Sequence, residues 1–495
     1  MIALRPQSRN AIISGAAFFV PLGVYLFSMQ RFVGFWDVGE MQTVPYILGI
    51  AHPTGFPAFT ILGWIFTHVL PVGNVAWRTT AMCALAMSAT AWLVNRFVLD
   101  ETGEPLIAML SGWMFAFTLI AWTCGTRTEV HALAALFIAA TLCCFTRWAR
   151  TTEARWLYLG AAAWGLGIAT HPVAALLGLG LFLIVLSHWE TVSAPALGIA
   201  VAITAAIVVS FYAYLPARSA VVSAQRLDPT LALGVAPGRP FWDYDHPARF
   251  EGFVQLVSGS DFPVGDGLAA VFLPETYIKH GANYVMAAVE NLTLAGALLV
   301  LAGGAFFLRR NALWGAGCLL AAGIGVPFAL GYAIEADVNR YFLPSFIMGA
   351  ALAGIGAATI AARWPRLRLP SIAALAAIAG VQFVGHSALL GQRFDPGATD
   401  FIAFVRANTP RDAILMAPWT YATPLAYAAY VDKSMDERVV ETAWLSDDIE
   451  QLPRWMKQRP VYIVYLPWGD LPAGYRLQRL AGGYPPVYRV LQSRR

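Results

Sequence analysis

The sequence predicts a mainly α-helical, polytopic membrane protein with a small C-terminal α/β domain, and three observations support this fold class. The 495 residues are 58% hydrophobic and only 13% charged, whereas a soluble protein carries roughly 25% charged residues. Apolar segments long enough to cross a bilayer recur along most of the chain. Arginine concentrates at alternate connections between them. A net charge of +4 without a basic run argues against a nucleic-acid partner.

The apolar segments predict about eleven spans, because roughly 16–25 residues suffice to cross a hydrocarbon core of about 30 Å. They cover residues 11–29, 76–99, 105–123, 129–147, 156–171, 173–189, 195–216, 284–308, 312–332, 341–362 and 370–390. The first is longer than the core of a signal peptide, and no small-residue cleavage site follows it, so we expect a retained helix.

The distribution of basic residues predicts the orientation of this bundle. With the N-terminus in the cytoplasm, the inner connections hold far more basic residues than the outer ones, as the positive-inside rule expects. The inner set is Arg5, Arg9, Arg96, Arg147, Arg150, Arg155, His188, Arg309, Arg310, Arg363, Arg366 and Arg368. The short outer connections hold chiefly Arg31, Arg127 and Arg340. An odd number of spans then places the C-terminus outside.

Two domains follow from this organisation. Residues 1–390 form the membrane domain, with outer loops at 30–75 and 217–283. Prolines interrupt residues 44–70, which we expect to lie along or dip into the outer surface. The loop at 217–283 is rich in Pro, Gly and aromatic residues and is too long for a connector, so it predicts a folded lid or substrate platform.

Residues 391–495 predict a small soluble α/β domain on the outer face. Helices are expected over 398–407, 421–430 and 447–458, with Asp447 as a cap, and buried strands over 413–416 and 461–465. Strands that alternate with helices indicate a parallel sheet. No Gly-rich phosphate loop opens this region, so nucleotide binding is not predicted. The five cysteines are expected to be packing residues rather than disulfides or metal ligands.

The first outer loop contains the strongest candidate site. Asp37 and Glu40 are three residues apart, which places both carboxylates on one face of a helical turn. His52 follows among prolines and glycine that break regular helix. Acidic groups beside irregular backbone at a membrane edge indicate a functional site. The alternative is a solvated loop with a helix cap.

Three stretches carry a family resemblance: residues 35–40 (FWDVGE), 48–57 (LGIAHPTGFP) and 70–78 (LPVGNVAWR). They resemble the N-terminal signature of a bacterial membrane family, formerly of unknown function, that is treated as GT-C glycosyltransferases. That family is related to the animal transmembrane O-mannosyltransferase of plexin-type receptors. Residues 122–132, 165–171 and 214–219 are similar as well, so the resemblance covers about residues 11–260. Thr54 stands where the family has a second proline, which puts the local turn in doubt.

The resemblance implies a GT-C helix bundle whose active site faces outward. Such enzymes take a sugar from a polyprenyl-phosphate carrier and pass it to an acceptor, usually with inversion at the anomeric carbon. Asp37 matches the position of the acidic residue that acts as base, and inverting transfer needs one such carboxylate. Glu40 is its neighbour and would orient the acceptor or an Arg, or else form a structural salt bridge. Two carboxylates that flank a glycosidic bond would instead suit a hydrolase.

A leaving lipid phosphate calls for cations at the outer rim. The predicted donor- or phosphate-binding residues are His52, Arg78, Arg127, His131, His171, Arg218 and Arg340. For each one, snorkelling or a structural role is the alternative. Arg340 lies in a stretch similar to an Arg-Tyr-x-x-Pro element of other GT-C enzymes. Glu129 is expected to pair with Arg127.

No cofactor is assigned with certainty from the sequence. A divalent metal held by His52 with Asp37 and Glu40 stays open, because some GT-C enzymes use a metal and others do not. Trp36 and Trp242 are candidates for stacking on a sugar.

The predicted function is transfer of a sugar, mannose or another hexose, from a polyprenyl-phosphate carrier to a hydroxyl of a protein, glycan or lipid acceptor. The expected location is the bacterial inner membrane, with the active site facing the periplasm. One alternative is a transporter or flippase of lipid-linked sugar, although the middles of the spans are nearly free of charge, which favours a one-sided site. Another is a non-catalytic assembly subunit.

Overall fold

The computed structural model describes residues 6–260, 272–331, 338–442, 449–465 and 474–493. The chain forms two compact units. Unit 1 comprises Met1–Met29, Cys83–Phe211 and Phe262–Gln392. Unit 2 comprises Gln30–Met82, Tyr212–Asp261 and Arg393–Arg495.

Most of the described chain is α-helical. In chain order the α-helices are α1 (Pro6–Ser28), α2 (Asp37–Ile47), α3 (Pro57–Val69), α4 (Val75–Thr102), α5 (Pro105–Ala116), α6 (Leu119–Thr126), α7 (Val130–Thr151), α8 (Ala154–Thr170), α9 (Gly178–Leu186), α10 (Ala194–Tyr212), α11 (Tyr214–Gln225), α12 (Phe250–Ser258), α13 (Pro274–Arg310), α14 (Ala312–Gly323), α15 (Gly325–Leu330), α16 (Val338–Tyr341), α17 (Leu343–Arg363), α18 (Arg368–Gly385), α19 (Gly397–Asn408), α20 (Trp419–Tyr430) and α21 (Leu452–Gln458). Short 3₁₀ helices lie at Pro172–Leu177, Pro229–Leu233, Pro365–Leu367, Ser387–Phe394 and Ile449–Gln451.

Among the described residues, eight helical segments are long and apolar enough to cross a membrane. A ninth results if α5 and α6, which are bent by 69°, count as one span. The helical membrane bundle is therefore confirmed, but the predicted count of about eleven is too high by this criterion. The two extra spans, 156–171 and 173–189, form the 17-residue α8 and the short Pro172–Leu186 segment. α8 occupies the predicted 156–171 segment, and Pro172, which has no backbone N–H to continue a helix, separates it from the 3₁₀ helix and α9 that follow.

In unit 1, α13 and α17 approach closely at small residues. A Cβ atom at Gly303 or Gly356 would collide with a backbone carbonyl of the facing helix. Small residues allow this approach where lipid gives no hydrophobic drive for helices to associate. Of the candidate spans in the described residues, α17 has the largest buried share: 78% of its 18-residue apolar stretch is buried.

In unit 2, a five-stranded mixed sheet has the order β2-β1-β3-β5-β4. Its strands are β1 (Ile414–Ala417), β2 (Val439–Thr442), β3 (Val461–Val464), β4 (Tyr475–Arg479) and β5 (Val487–Gln492). The first three neighbours are parallel, and β5 and β4 are antiparallel. The predicted parallel sheet is thus confirmed for β2, β1 and β3, whereas β5 and β4 form an antiparallel hairpin, with weak alternation, that the sequence did not predict.

The C-terminal helices largely follow the sequence-based expectation. The helices predicted over 398–407 and 421–430 appear as α19 and α20, and the last predicted helix appears in its second half as α21. The predicted cap Asp447 lies outside the described residues.

The two compact units do not follow the predicted domain boundary at residue 390. The C-terminal sheet groups with segments 30–82 and 212–261, which span most of the two loops predicted to be outer. The physical reason is that α20 packs against α2. Gly39 faces Thr423 there, and the backbone N–H of Trp36 donates to the carbonyl of Thr420 at 3.4 Å.

Candidate functional site

The first turn of α2 presents the two predicted carboxylates. Asp37 is the first residue of the helix, and Glu40 lies in the same turn. Carboxylates at this end are favoured by the unpaired N–H groups and the helix dipole. Trp36 enters the helix with φ 56° and ψ −150° and is 60% exposed. A non-glycine residue at positive φ is a strained arrangement that is frequent at functional sites. Its exposed ring beside Asp37 fits the predicted sugar-stacking role.

Glu40 and His52 form a buried acid–base pair. Glu40 is fully buried, and its Oε1 accepts the backbone N–H of His52 at 2.8 Å. Its Oε2 contacts Nδ1 of the same residue. Burial raises the pKa of Glu40, while the contact with His52 opposes that rise. Of the predicted roles for Glu40, the structure therefore favours a structural pairing, and the partner is a histidine rather than an Arg.

Asp37 is held by a tryptophan from the C-terminal segment. Trp419 Nε1 donates to Asp37 Oδ1 at 2.7 Å. The indole ring lies parallel to Phe241, with centroids 5.6 Å apart. It meets His52 and Tyr244 edge-on, at 6.0 and 6.5 Å. Four aromatic side chains and two carboxylates thus converge within unit 2.

Asp37, Glu40 and His52 are also the candidate ligands for a metal ion. One ligand atom from each of Asp37, Glu40 and His52 lies within 4.8 Å of the others. Carboxylate and imidazole donors suit a divalent cation such as Zn²⁺ or Mn²⁺. Both Glu40 oxygens, however, accept hydrogen-bonding contacts from His52, and one Asp37 oxygen accepts from Trp419. The residues fit an ion only if the His52–Glu40 contact opens.

Two of the predicted phosphate-binding arginines bind backbone carbonyls within unit 2. Arg78 donates from all three guanidinium nitrogens to the carbonyls of Thr67, Val72 and Gly73, at 2.8–3.1 Å. Arg218 donates to the carbonyls at the end of α2, those of Leu48 at 2.6 Å and Ile47 at 3.1 Å. These contacts fit a role in fixing the loops around the carboxylates. Phosphate binding by these two residues stays a prediction.

Apart from His52, the other predicted donor-binding residues lie in unit 1. Arg340 Nη1 bonds Glu129 Oε2 at 3.0 Å, so the expected pairing of Glu129 with Arg127 is wrong. The Arg127 Nε donates instead to the Gln392 side chain at 3.3 Å. The pairing was missed because 211 residues separate Glu129 from Arg340 in the sequence.

Beside this ion pair the two predicted histidines are in contact. The rings of His131 and His171 are 4.5 Å apart between centroids, and each meets the ring of Tyr341, at 5.3 and 5.6 Å. Both histidines are buried. A cavity of about 300 Å³ in the same unit is lined by His280, Asn283, Met286, Ala287, Glu290, Ala329, Leu330, Val338 and Asn339. Sequence reasoning brought Arg340, His131 and His171 into one set, and the structure brings the two histidines together.

The residue that sequence reasoning missed is Trp419. It lies 382 residues from Asp37, which no helical or strand spacing connects. A signal existed, because Trp419 and the preceding Pro418 follow directly after β1. In sheets with parallel strands, side chains that follow the carboxyl end of a strand commonly form sites.

Solved structures with a similar fold place the chain in a class. It superposes on ArnT from Cupriavidus metallidurans bound to undecaprenyl phosphate with a TM-score of 0.61, at 13% identity and 98% coverage of both chains. The apo form of that protein gives a TM-score of 0.58 at 14% identity and the same coverage. The fold is that of GT-C-type polytopic membrane proteins.

Sequence comparison then gives the particular relatives. Residues 37–194 match the model of the Protein O-mannosyl-transferase TMEM260 N-terminal domain. The chain is 23% identical over 449 residues to Protein O-mannosyl-transferase TMEM260 of Mus musculus, across 83% of this chain and 60% of that protein. It is 31% identical over 118 residues to the Dictyostelium discoideum protein of the same name, across 23% and 14%. The chain therefore has a GT-C-type membrane fold and is similar in sequence to the TMEM260 proteins, and it spans less than two thirds of the length of these relatives.

Proposed function

We propose that the chain is a GT-C-type glycosyltransferase that moves a sugar from a polyprenyl-phosphate carrier to an acceptor hydroxyl, with Asp37 as the general base. The observation that carries the proposal is the difference between two carboxylates of one helical turn. Glu40 is buried, and both of its carboxylate oxygens contact His52. Asp37 is partly exposed, and from the described part of the chain its Oδ2 receives no hydrogen bond. The names of the TMEM260 relatives support the same activity.

In the proposed reaction, the acceptor oxygen attacks the anomeric carbon as its proton passes to Asp37 Oδ2. A new C–O glycosidic bond forms, and the bond between the anomeric carbon and the phosphate oxygen breaks. The bonding electrons leave with the polyprenyl phosphate. A base within hydrogen-bond reach of the attacking hydroxyl contributes typically about 10²–10⁴ in rate. The Glu40–His52 pair fixes the loop that follows α2 and so the surroundings of Asp37.

A polyprenyl phosphate is the proposed carrier because ArnT, which has a similar fold, was solved with undecaprenyl phosphate bound. In unit 1, Arg340, Arg127, His131 and His171 are the cationic or titratable groups proposed to contact the carrier phosphate. Guanidinium and imidazolium donors stabilise phosphate charge as it develops. Substituting Arg127 by Ala is expected to weaken donor binding, because its guanidinium is outside the Arg340–Glu129 ion pair.

Mannose and a protein hydroxyl are the proposed sugar and acceptor, on the strength of the relatives' names. Incubation of the purified full chain in nanodiscs with undecaprenyl-phosphate-linked radiolabelled mannose would test this. Label on a pool of Ser/Thr peptides would support a protein acceptor. Label that appears only with a lipid extract would assign a lipid or glycan acceptor instead.

The decisive variant for the activity is Asp37→Asn, with Asp395→Asn as the control at an exposed aspartate. We expect D37N to lose transfer by about 10²–10⁴-fold while it still binds the labelled donor. Transfer by D37N at the wild-type rate would overturn the proposal. So would movement of labelled donor across a liposome bilayer by the wild type without product, the behaviour of a flippase.

A divalent metal is not required in this proposal. The contacts that Glu40 and Asp37 make with His52 and Trp419 favour a metal-free base. We expect transfer to survive a chelator, and inactivation by EDTA that added Mn²⁺ or Zn²⁺ restores would instead assign Asp37, Glu40 and His52 as ligands.

We further propose that the chain resides in a bacterial plasma membrane with Asp37 on the periplasmic side. Arg31→Cys would introduce a thiol six residues before Asp37, and Arg155→Cys would introduce one at a predicted inner connection. A membrane-impermeant maleimide applied to intact spheroplasts should label the first and spare the second. The reverse pattern would reject this orientation.

A further inference from the structure

The indole of Trp419 makes two kinds of contact, one through its ring face and one through its N–H. Its face packs parallel to Phe241, with an interplanar angle of 2°. Its Nε1–H makes a 2.7 Å hydrogen bond to Asp37 Oδ1. Phenylalanine would preserve most of the packing, so the choice of tryptophan is explained by the donor. An indole N–H can only donate, which suits an ionised carboxylate.

The backbone around Trp419 limits how far this donor can move. Pro418 precedes it with φ near −64°, and Trp419 is the first residue of α20 directly after β1. The helix is anchored to α2 at Gly39, where a Cβ would lie 2.9 Å from Thr423 Oγ1. On the other side of Asp37, the backbone N–H of Trp36 donates to the carbonyl of Thr420 at 3.4 Å. These contacts on both sides of Asp37 limit the distance between the indole N–H and the carboxylate.

We propose that Trp419 is a positioning residue for Asp37, so that the C-terminal α/β segment completes the catalytic site of the proposed transferase. The inference rests on the proposed function. The hydrogen bond to Oδ1 stops rotation of the carboxylate and leaves Oδ2 to receive the acceptor proton. When Oδ2 is protonated, Oδ1 still accepts from the indole, so the same contact serves before and after proton transfer.

The test removes only the donor. 3-Benzothienylalanine at position 419 keeps the shape of the ring and replaces N–H by sulfur, and Trp419→Phe is the genetically simple version. We expect kcat for transfer of undecaprenyl-phosphate-linked mannose to fall roughly ten- to hundredfold, the loss expected for a hydrogen bond to a charged group. KM for the donor should change little, because the proposed role of Trp419 is to orient Asp37 rather than to bind the carrier.

Trp455→Phe is the matched control. Its indole is buried in the same unit and also loses a hydrogen bond, from Nε1 to the Leu233 carbonyl at 3.1 Å. If W455F lowers the melting temperature as much as W419F but keeps kcat, loss of stability is excluded as the cause. Wild-type kcat in both position-419 variants would overturn the inference.

Failure of this inference is distinguishable from failure of the proposed function. If D37N abolishes transfer and the Trp419 variants do not change it, Asp37 remains the base and only the positioning role is rejected. If D37N transfers normally, the proposed function fails whatever Trp419 does.

Discussion

The fully buried carboxylate of Glu40 accepts hydrogen bonds from both the backbone N–H and the ring of His52, twelve residues further along the chain. Both oxygens of Glu40 therefore contact the same residue, His52. These contacts close the chain between Glu40 and His52 into a loop. Leu48 in the left-handed conformation ends α2 within this loop. The arrangement resembles a clamp that holds the turn carrying Asp37, and it makes Glu40 a structural support for the proposed base.

Substitution of Glu40 by Gln is the direct test of this support. The amide can accept only one of the two His52 donors, so one buried donor or the amide itself loses its partner. We expect a loss of roughly 1–3 kcal/mol in stability and a lower kcat in the mannosyl transfer assay. Glu153→Gln removes an exposed carboxylate paired with Arg155 and should change neither quantity. An unaltered E40Q enzyme would show that the clamp is dispensable.

We expect a large coupling free energy between Arg340 and Glu129 in unit 1. The Glu129 carboxylate is 5% exposed, so removal of the arginine takes a cationic partner away from a buried charge. We expect Arg340→Ala to cost about 3–5 kcal/mol and Glu129→Gln to recover part of that loss in the double variant. Thermal unfolding in detergent measures the cycle. The same cycle at the exposed Arg155–Glu153 pair should give about 0–1 kcal/mol, and equal coupling in the two cycles would contradict the buried pairing.

Packing of α20 on α2 can be tested at Gly39. A Cβ there would lie 2.6 Å from the Gly34 carbonyl oxygen and 2.9 Å from Thr423 Oγ1, so one of the two elements must shift. We expect Gly39→Ala to lower both the melting temperature and the transfer rate. Gly198→Ala in α10 meets nothing within 4 Å and should be neutral or slightly stabilising. Wild-type behaviour of G39A would mean that this contact is looser than described.

Asp228 predicts a pH dependence of stability. Burial raises its pKa above the ordinary 3.8, although its Oδ1 accepts from both the N–H and the hydroxyl of Thr230. The native carboxyl therefore keeps its proton at pH values where the unfolded one has lost it. The native state binds more protons in that window, so its stability falls as pH rises upward from 3.8 through the raised native pKa.

Asp228→Asn should flatten this decline in a series of melting temperatures across the acidic range. The asparagine can still accept through Oδ1, so the 3₁₀ turn should survive. Asp395→Asn, at an exposed position, should leave the slope unchanged. A D228N slope equal to that of the wild type would show that other carboxyl groups cause the dependence.

Much of the fold was predictable because lipid imposes a simple rule on the chain. A span must satisfy its backbone internally and expose apolar side chains, so a long apolar run identifies it. The predicted count of spans is too high at 156–171 and 173–189, because both segments are apolar but form only the 17-residue α8 and the shorter Pro172–Leu186 segment. Prediction also failed at the β4–β5 hairpin, since short strands at a sheet edge alternate weakly.

Sequence by itself determined the membrane bundle, the C-terminal α/β character, and the pair Asp37 and Glu40 in one turn, because each depends on local periodicity. Tertiary structure alone decided the partners of those carboxylates. His52 reaches Glu40 around a loop, and Trp419 reaches Asp37 from the far end of the chain. Side-chain spacing along one element cannot encode contacts of this kind, because they depend on how separate elements pack and on which polar atoms that packing buries.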